Sequence, residues 1–228
     1  MIEEFRSFCK SRESYSQLNQ DLLVLFFLGD APGYFVEFGA CDGIYFSNTF
    51  LLETYHSWSG ILVEPSPYYN KVLKEKRSSK IDTLCVSDKS GDSVDFVEVD
   101  GTRCLSGIYD YAFNDMHSEA RRSKGVTYKV DTISLKDLLD KHDAPNVIDY
   151  ISIDTEGSEY SILKAYDFSR VFKVISVEHN STYQKPMIDS LLTSYGYVNV
   201  FPEESKWDGW YVLSDVYESA KAALNNNT

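Results

Sequence analysis

Asp154, Glu156, Glu178 and His179 are the side chains of this chain best placed to handle a proton. Asp154-Thr-Glu-Gly-Ser-Glu159 follows the apolar run Val147–Ile153, and Glu178-His179-Asn180 follows Val174–Val177. An imidazole that titrates near neutrality can take a proton from a hydroxyl as that oxygen attacks an electrophile. His179 is therefore a candidate base, or a residue that orients an acceptor, with Asp154 and Glu156 beside it. Part of the pattern has a simpler origin. Acids near a helix N-terminus face the positive end of its dipole, and Thr155 or Ser158 can cap it. That accounts for Ser158 and Glu159, but less well for Asp154 at a strand end. Asp154, Glu178 and His179 also offer donors to a divalent ion such as Mg²⁺, so a metal-assisted reaction stays open. His56, His117 and His142 sit in no such pattern and read as structural or exposed.

A binding signal lies upstream in Tyr34-Phe-Val-Glu-Phe-Gly-Ala-Cys-Asp-Gly43. An apolar strand closes in a turn where Gly39 and Gly43 lack a Cβ, so backbone can approach a ligand closely. Ile61-Leu-Val-Glu64-Pro65 then ends a second strand in an acid, the position that accepts hydrogen bonds from ribose hydroxyls in βαβ units. The dinucleotide fingerprint Gly-x-Gly-x-x-Gly is absent, and acids stand at Glu37 and Asp42. Such a loop repels a pyrophosphate and suits a cation. S-adenosylmethionine (SAM) has no phosphate and carries a sulfonium and an ammonium, which favours it over NAD or ATP. The candidate contacts are Glu37, Gly39, Ala40, Asp42 and Gly43 at its methionine end, and Glu64 with Pro65 at its ribose. Ser47 and Asn48 can bond its carboxylate or ribose, although Ser47-Asn-Thr49 also suits a helix cap. Ser87 and Asp88 fall where a third-strand loop meets adenine, or form a plain hairpin turn.

These residues need a scaffold that gathers strand ends. Strands are predicted near 34–39, 60–64 and 82–86, with helices near 14–28, 48–57 and 66–77, and Ser14 or Ser16 as possible caps of the first. Alternation of this kind implies a parallel sheet with right-handed crossovers. Residues 93–99 and 126–133 alternate in a two-residue period around a polar stretch, Asp100–Lys124. A helix over Thr132–Lys141, a strand over Val147–Ile153, a helix over Ser158–Ala165 and strands at 171–177, 197–200 and 209–213 complete about seven core strands. In open α/β sheets ligands bind beyond the carboxyl ends of the strands. Glu37, Asp42, Glu64, Asp88, Asp154, Glu156, Glu178 and His179 follow apolar runs and so gather at that edge.

The 228 residues suffice for one well-buried domain, divided as a helical lead-in over 1–33, a main domain over 34–215 with an inserted loop near 100–125, and a terminal helix and tail over 216–228. A formal charge of −13 disfavours nucleic acid and anionic membranes. The small basic spots at 71–80 and Arg121-Arg122 read as solvated helix faces. Cys9, Cys41, Cys85 and Cys104 show neither zinc nor disulfide spacing. No basic-then-apolar leader begins the chain, and Leu22–Leu28 is too short to cross a membrane, so the cytoplasm is the expected location.

In combination the motifs resemble the FkbM-like methyltransferases. The resemblance runs in order through Ser16-Gln17, Gln20-Asp21, Phe35–Gly43, Ser47-Asn-Thr49, Gly60–Pro65, Val130-Asp-Thr-Ile-Ser-Leu135, Asp149–Glu159 and Val177-Glu-His-Asn180. It implies an α/β fold of the class I SAM-methyltransferase (Rossmann-like) type, a three-layer sandwich with a mostly parallel seven-stranded sheet and one antiparallel edge strand. It also implies O-methylation, often of sugar hydroxyls in glycans or glycosylated small molecules. By position it assigns Glu37, Gly39, Asp42, Gly43 and Glu64 to SAM, and Asp154, Glu156 and His179 to the active-site edge. Cys41 stands where many members carry a polar residue, and Asp100–Lys124 has no counterpart. The rival expectation is a non-catalytic SAM-fold module for a glycan or partner, with Tyr68, Tyr69, Tyr109, Tyr111, Trp207 and Trp210 stacking on sugar rings.

Overall fold

The computed structural model describes residues 1–101 and 103–226. Its strands are β1 (Tyr34–Phe38), β2 (Ser59–Val63), β3 (Lys80–Asp82), β4 (Cys85–Ser87), β5 (Ser93–Val99), β6 (Gly107–Ile108), β7 (Gly125–Ser134), β8 (Val147–Ile153), β9 (Val171–Glu178), β10 (Tyr197–Asn199) and β11 (Asp208–Leu213). Its helices are α1 (Ile2–Lys10), α2 (Gln20–Leu28), α3 (Phe50–His56), α4 (Pro67–Lys76), α5 (Ser118–Lys124), α6 (Leu135–Lys141), α7 (Glu159–Ala165), α8 (Lys185–Ser194), α9 (Pro202–Ser205) and α10 (Ser214–Asn225).

A seven-stranded sheet runs in the order β10-β11-β9-β8-β1-β2-β3. β3, β2, β1, β8 and β9 are parallel, while β11 is antiparallel to both its neighbours. This is the class I methyltransferase topology. The antiparallel strand is not at the edge, as expected from sequence, but one place in, with β10 outside it. The strands are apolar on both faces because helices cover both. On β1, Val36 and Phe38 join the core under α6, α7 and α8, while Phe35 joins the opposite core under α1, α2, α3 and α4. The period-two alternation puts Glu37 on that second face as well.

β4, β7, β5 and β6 form a separate four-stranded sheet. The strand predicted over 82–86 is therefore two strands in two sheets. Between them Asp82 accepts the Leu84 N–H at 3.0 Å, turning the chain. The helix predicted from Thr132 starts only at Leu135; Thr132 and Ile133 pair with Cys85 and Val86, and the Ser134 hydroxyl caps α6 by accepting the Asp137 N–H at 3.1 Å. The helix predicted over 14–28 starts at Gln20. Asn19 holds the N-cap position without a side-chain bond; the Ser16 hydroxyl accepts the first-turn Asp21 N–H at 3.3 Å, and the Ser14 and Ser16 hydroxyls donate to the buried Asp21 carboxylate at 2.5 and 2.7 Å. The inserted stretch is not a plain loop but holds β6 and α5. Among the described residues no helix is long and apolar enough to cross a membrane.

Candidate active site

The carboxyl ends of β1, β2, β8 and β9 open into a cavity of about 760 Å³, roofed by the second sheet and the insert. Gly39, Ala40, Ser47, Asn48, Glu64 and Pro65 line it together with Asp154, Glu156 and Glu178.

The turn after β1 packs against the loop after β8. Gly39 has φ +74°, and a Cβ there would meet the Asp154 carbonyl oxygen at 2.3 Å. Only glycine lets the β1 and β8 loops approach so closely. Glu64 is 5% exposed, and its two carboxylate oxygens accept the Cys41 and Ser66 N–H groups at 2.9 and 2.8 Å. Burial, outweighing those bonds, raises its pKa to about 7. Asn48 is 8% exposed; its amide donates to Ser152 Oγ at 2.8 Å, and its Oδ1 has no partner. A glycine cradle, a buried acid and an orphaned amide oxygen fit SAM, whose ribose and ammonium are donors.

Other candidates take structural places. Glu37 does not line the cavity. Its carboxylate accepts the Ser47 hydroxyl (3.0 Å), the Asn48 N–H (2.7 Å) and the Thr49 hydroxyl (2.5 Å), with Arg77 3.9 Å away. It pins the loop that carries Asn48. Burial raises its pKa against the lowering effect of Arg77 and these bonds. Asp42, also outside the lining, accepts the Ile44 and Tyr45 N–H groups and pairs with Lys76 at 2.9 Å. Burial pushes its pKa up, but these donors outweigh it and the net shift is downward. Gly43, Ser87 and Asp88 likewise lie off the cavity wall, which Cys85, Val86 and Phe96 line near β4.

Also on the lining, Asp154, Glu156 and Glu178 bring ligand atoms within 4.8 Å of one another. Burial raises all three pKa values; Asp208 and Glu159 push Asp154 further up against a lowering hydrogen bond from Glu178, and the Asp154 charge pushes up Glu156 and Glu178. One Glu178 oxygen has no partner. Glu159 instead ties the turn, accepting the Thr155 and Gly157 N–H groups at 3.0 and 2.9 Å. His179 is buried beside this group but does not line the cavity; its Nδ1 accepts the Ser181 N–H at 3.0 Å and its Nε2 has no partner. Burial, then Lys185, lowers its pKa.

Four contributors escaped the sequence reading. Asp208 lines the cavity because antiparallel β11 starts at the edge where β9 ends, in register with Glu178. Gln20 donates to it at 2.7 Å, and burial raises its pKa to about 6. Arg121, read as solvated, is 1% exposed and donates to Glu156, Asp115 and the Leu105 and Ala112 carbonyls. Arg77, read the same way, is 6% exposed and bonds Gly43, Ser47, Thr49 and Glu53. His117, set aside as structural or exposed, lines the cavity with Met116, as does Trp207, whereas Trp210 is core.

A Rossmann-like sheet of this strand order, with a glycine turn, an acid after β2 and a cavity across the strand ends, defines a class I methyltransferase. Residues 37–198 match the family described as the methyltransferase FkbM domain, and the chain belongs to that family. No curated protein matches the chain. Among solved structures it is similar to the precorrin-6y C5,15-methyltransferase of Geobacter metallireducens GS-15, with 12% identity, 90% of this chain and 94% of that one covered, and a TM-score of 0.40. It is also similar to a chain of a fibrillarin/Nop5p complex, with 14% identity, 78% and 70% covered, and a TM-score of 0.36.

Proposed function

We propose that this methyltransferase transfers the methyl group of SAM to a hydroxyl of a sugar or glycan-containing acceptor. When bound, SAM supplies an electrophilic methyl on a sulfonium. Glu64 accepts from its ribose, Asn48 Oδ1 accepts from its methionine end or ribose, and Gly39 lines the cavity that holds it. The observation that carries the acceptor assignment is that Asp154, Glu156, Glu178 and Asp208 all line the one cavity that Glu64 lines. Buried carboxylates in that number accept hydroxyl protons and repel phosphates, which favours a neutral polyol over nucleic acid. Asp154 or Glu178 takes the proton as the acceptor oxygen attacks, while Arg121 holds the Glu156 carboxyl in place beside them. Alignment of acceptor and methyl supplies most of the acceleration, on the order of 7–11 kcal/mol.

A metal-assisted version is favoured by one observation, the 4.8 Å grouping of Asp154, Glu156 and Glu178. Asp154, Glu156 and Glu178 would hold the Mg²⁺, with Glu156 in the place expected for His179, and the ion would lower the hydroxyl pKa. The test is methyl transfer from labelled SAM to a panel of sugars and glycosides, with EDTA and with added Mg²⁺. Transfer to a hydroxyl acceptor supports the proposal; activity lost in EDTA and restored by Mg²⁺ selects the metal version. SAM binding with no transfer to any acceptor would favour a binding module instead.

A further inference from the structure

Cys41 and Cys104 face one another across the cofactor cavity. Cys41 lies in the glycine turn after β1, with φ +47°, and its N–H is the donor held by Glu64 at 2.9 Å. Cys104 lies in the 3-10 turn Arg103–Leu105 of the insert. Both line the cavity, and their thiols are hydrogen-bonded to each other. The Tyr69 hydroxyl lies 3.4 Å from Cys104 Sγ. Cys104 is exposed and Cys41 is half-buried, so a small oxidant can reach the pair.

We propose that Cys41 and Cys104 are a peroxide-reactive thiol pair whose disulfide closes the cavity against SAM. The inference rests on the cofactor reading above for its consequence, but not for its chemistry. The thiolate, not the thiol, attacks a peroxide, so the ionisation of each cysteine decides which one reacts. The hydrogen bond from Cys41 lowers the Cys104 pKa to about 7 against the opposing effect of burial, with Tyr69 assisting. Burial raises Cys85 to about 12 and Cys9 to about 11, which leaves both inert.

The Cys104 thiolate attacks hydrogen peroxide, breaking the O–O bond; the sulfur is oxidised to a sulfenic acid, and hydroxide leaves as water after taking a proton. Cys41 then attacks that sulfur, its proton leaves with the displaced hydroxyl as a second water, and the S–S bond forms. Two thiols and one peroxide give one disulfide and two waters. The contact must shorten to the ~2.05 Å of a disulfide, which draws the 3-10 turn onto the glycine turn. That movement narrows the space between them and pulls on the Cys41 N–H that orients Glu64.

The test treats the reduced protein with stoichiometric hydrogen peroxide, then maps cysteine peptides by mass spectrometry and titrates S-adenosylhomocysteine. Expected are a 41–104 cross-link two mass units lighter than the dithiol, reversal by dithiothreitol, and at least tenfold weaker ligand binding before reversal. Saturating ligand should slow cross-linking, since coupling between two events is reciprocal. Cys9→Ser should still form the cross-link, and Cys104→Ser should not. Thiols that stay free, or oxidise without cross-linking, overturn the proposal. So does a cross-linked protein that binds the ligand as tightly as the reduced one. Reduced protein that fails to bind S-adenosylhomocysteine overturns the cofactor reading and the exclusion with it, whereas the cross-link is scored by mass alone.

Discussion

Arg121 donates to Glu156 at 2.5 Å across 35 residues of sequence, and both side chains are buried. The contact joins the insert to the loop after β8. Gly157, at φ +123°, permits the same joint, because a Cβ there would lie 2.7 Å from the Tyr111 carbonyl oxygen. The roof of the cavity and its acidic wall are thus one packed unit. Removing the cation leaves Glu156 buried and uncompensated, which typically costs about 3–5 kcal/mol. Arg121→Met should therefore lower stability by that order in urea unfolding. Arg121→Met combined with Glu156→Gln should recover part of the loss and not all of it, because Asp115, the other buried carboxylate that Arg121 pairs with, still loses its cation. Equal losses in the single and double variants would show that the pair is not the cause.

Glu37 and Glu64 should separate cleanly. Glu37 is saturated by Ser47, Asn48 and Thr49, so Glu37→Ala strands three buried donors and loosens the 47–49 loop. Each stranded group costs roughly 1–3 kcal/mol. Stability should fall first, with ligand affinity following it. Glu64→Ala should weaken S-adenosylhomocysteine binding with a smaller stability loss. The pair of unfolding curves and calorimetric titrations checks this; a Glu37→Ala protein of normal stability but no affinity would place Glu37 on the ligand instead.

The edge of the sheet was legible because parallel strands announce themselves. Phe35–Phe38 and Ile61–Val63 are buried runs, each closed by the residue type its loop needs, and the structure pairs them in register. What escaped notice depends on contacts far apart in sequence. A Lys/Arg-rich helix looks the same on paper whether one arginine points to solvent or into the core, so Arg77 and Arg121 passed as surface charge. Asp208 precedes an apolar strand rather than following one, and only the antiparallel direction of β11 brings it to the ligand edge. Glu37 reads as a ligand for the converse reason: it interrupts an apolar run, but its satisfying donors lie ten to twelve residues away.

Binding should depend on pH through Glu64. Its folded pKa of about 7 is raised by burial, so at pH 6 most of the free protein carries the neutral acid. Ribose hydroxyls donate best to the ionised form, so binding releases a proton and strengthens as pH rises, levelling off above 7. Between pH 6 and pH 8 the ionised fraction grows about tenfold, and affinity for S-adenosylhomocysteine should grow with it. Glu64→Gln should bind weakly and lose this slope. A wild-type affinity flat from pH 6 to 8 would remove Glu64 from the ribose.

Asp154, Glu178 and His179 compete for the proton of the acceptor, and turnover can rank them. Asp154 and Glu178 line the cavity, and burial raises both pKa values, with Asp208 the next largest influence on Asp154 and Asp154 the next largest on Glu178. His179 is neutral near neutral pH but does not line the cavity. General-base removal typically costs about 10²–10⁴-fold in rate. Asp154→Asn or Glu178→Gln should therefore lower kcat by that order while leaving S-adenosylhomocysteine affinity within a few fold, and His179→Ala should cost less than either. In the metal version the same two substitutions also abolish rescue by Mg²⁺ after EDTA. Single-turnover rates with labelled SAM decide the order: a loss confined to His179→Ala would return the base to the imidazole and leave the acid wall to positioning alone.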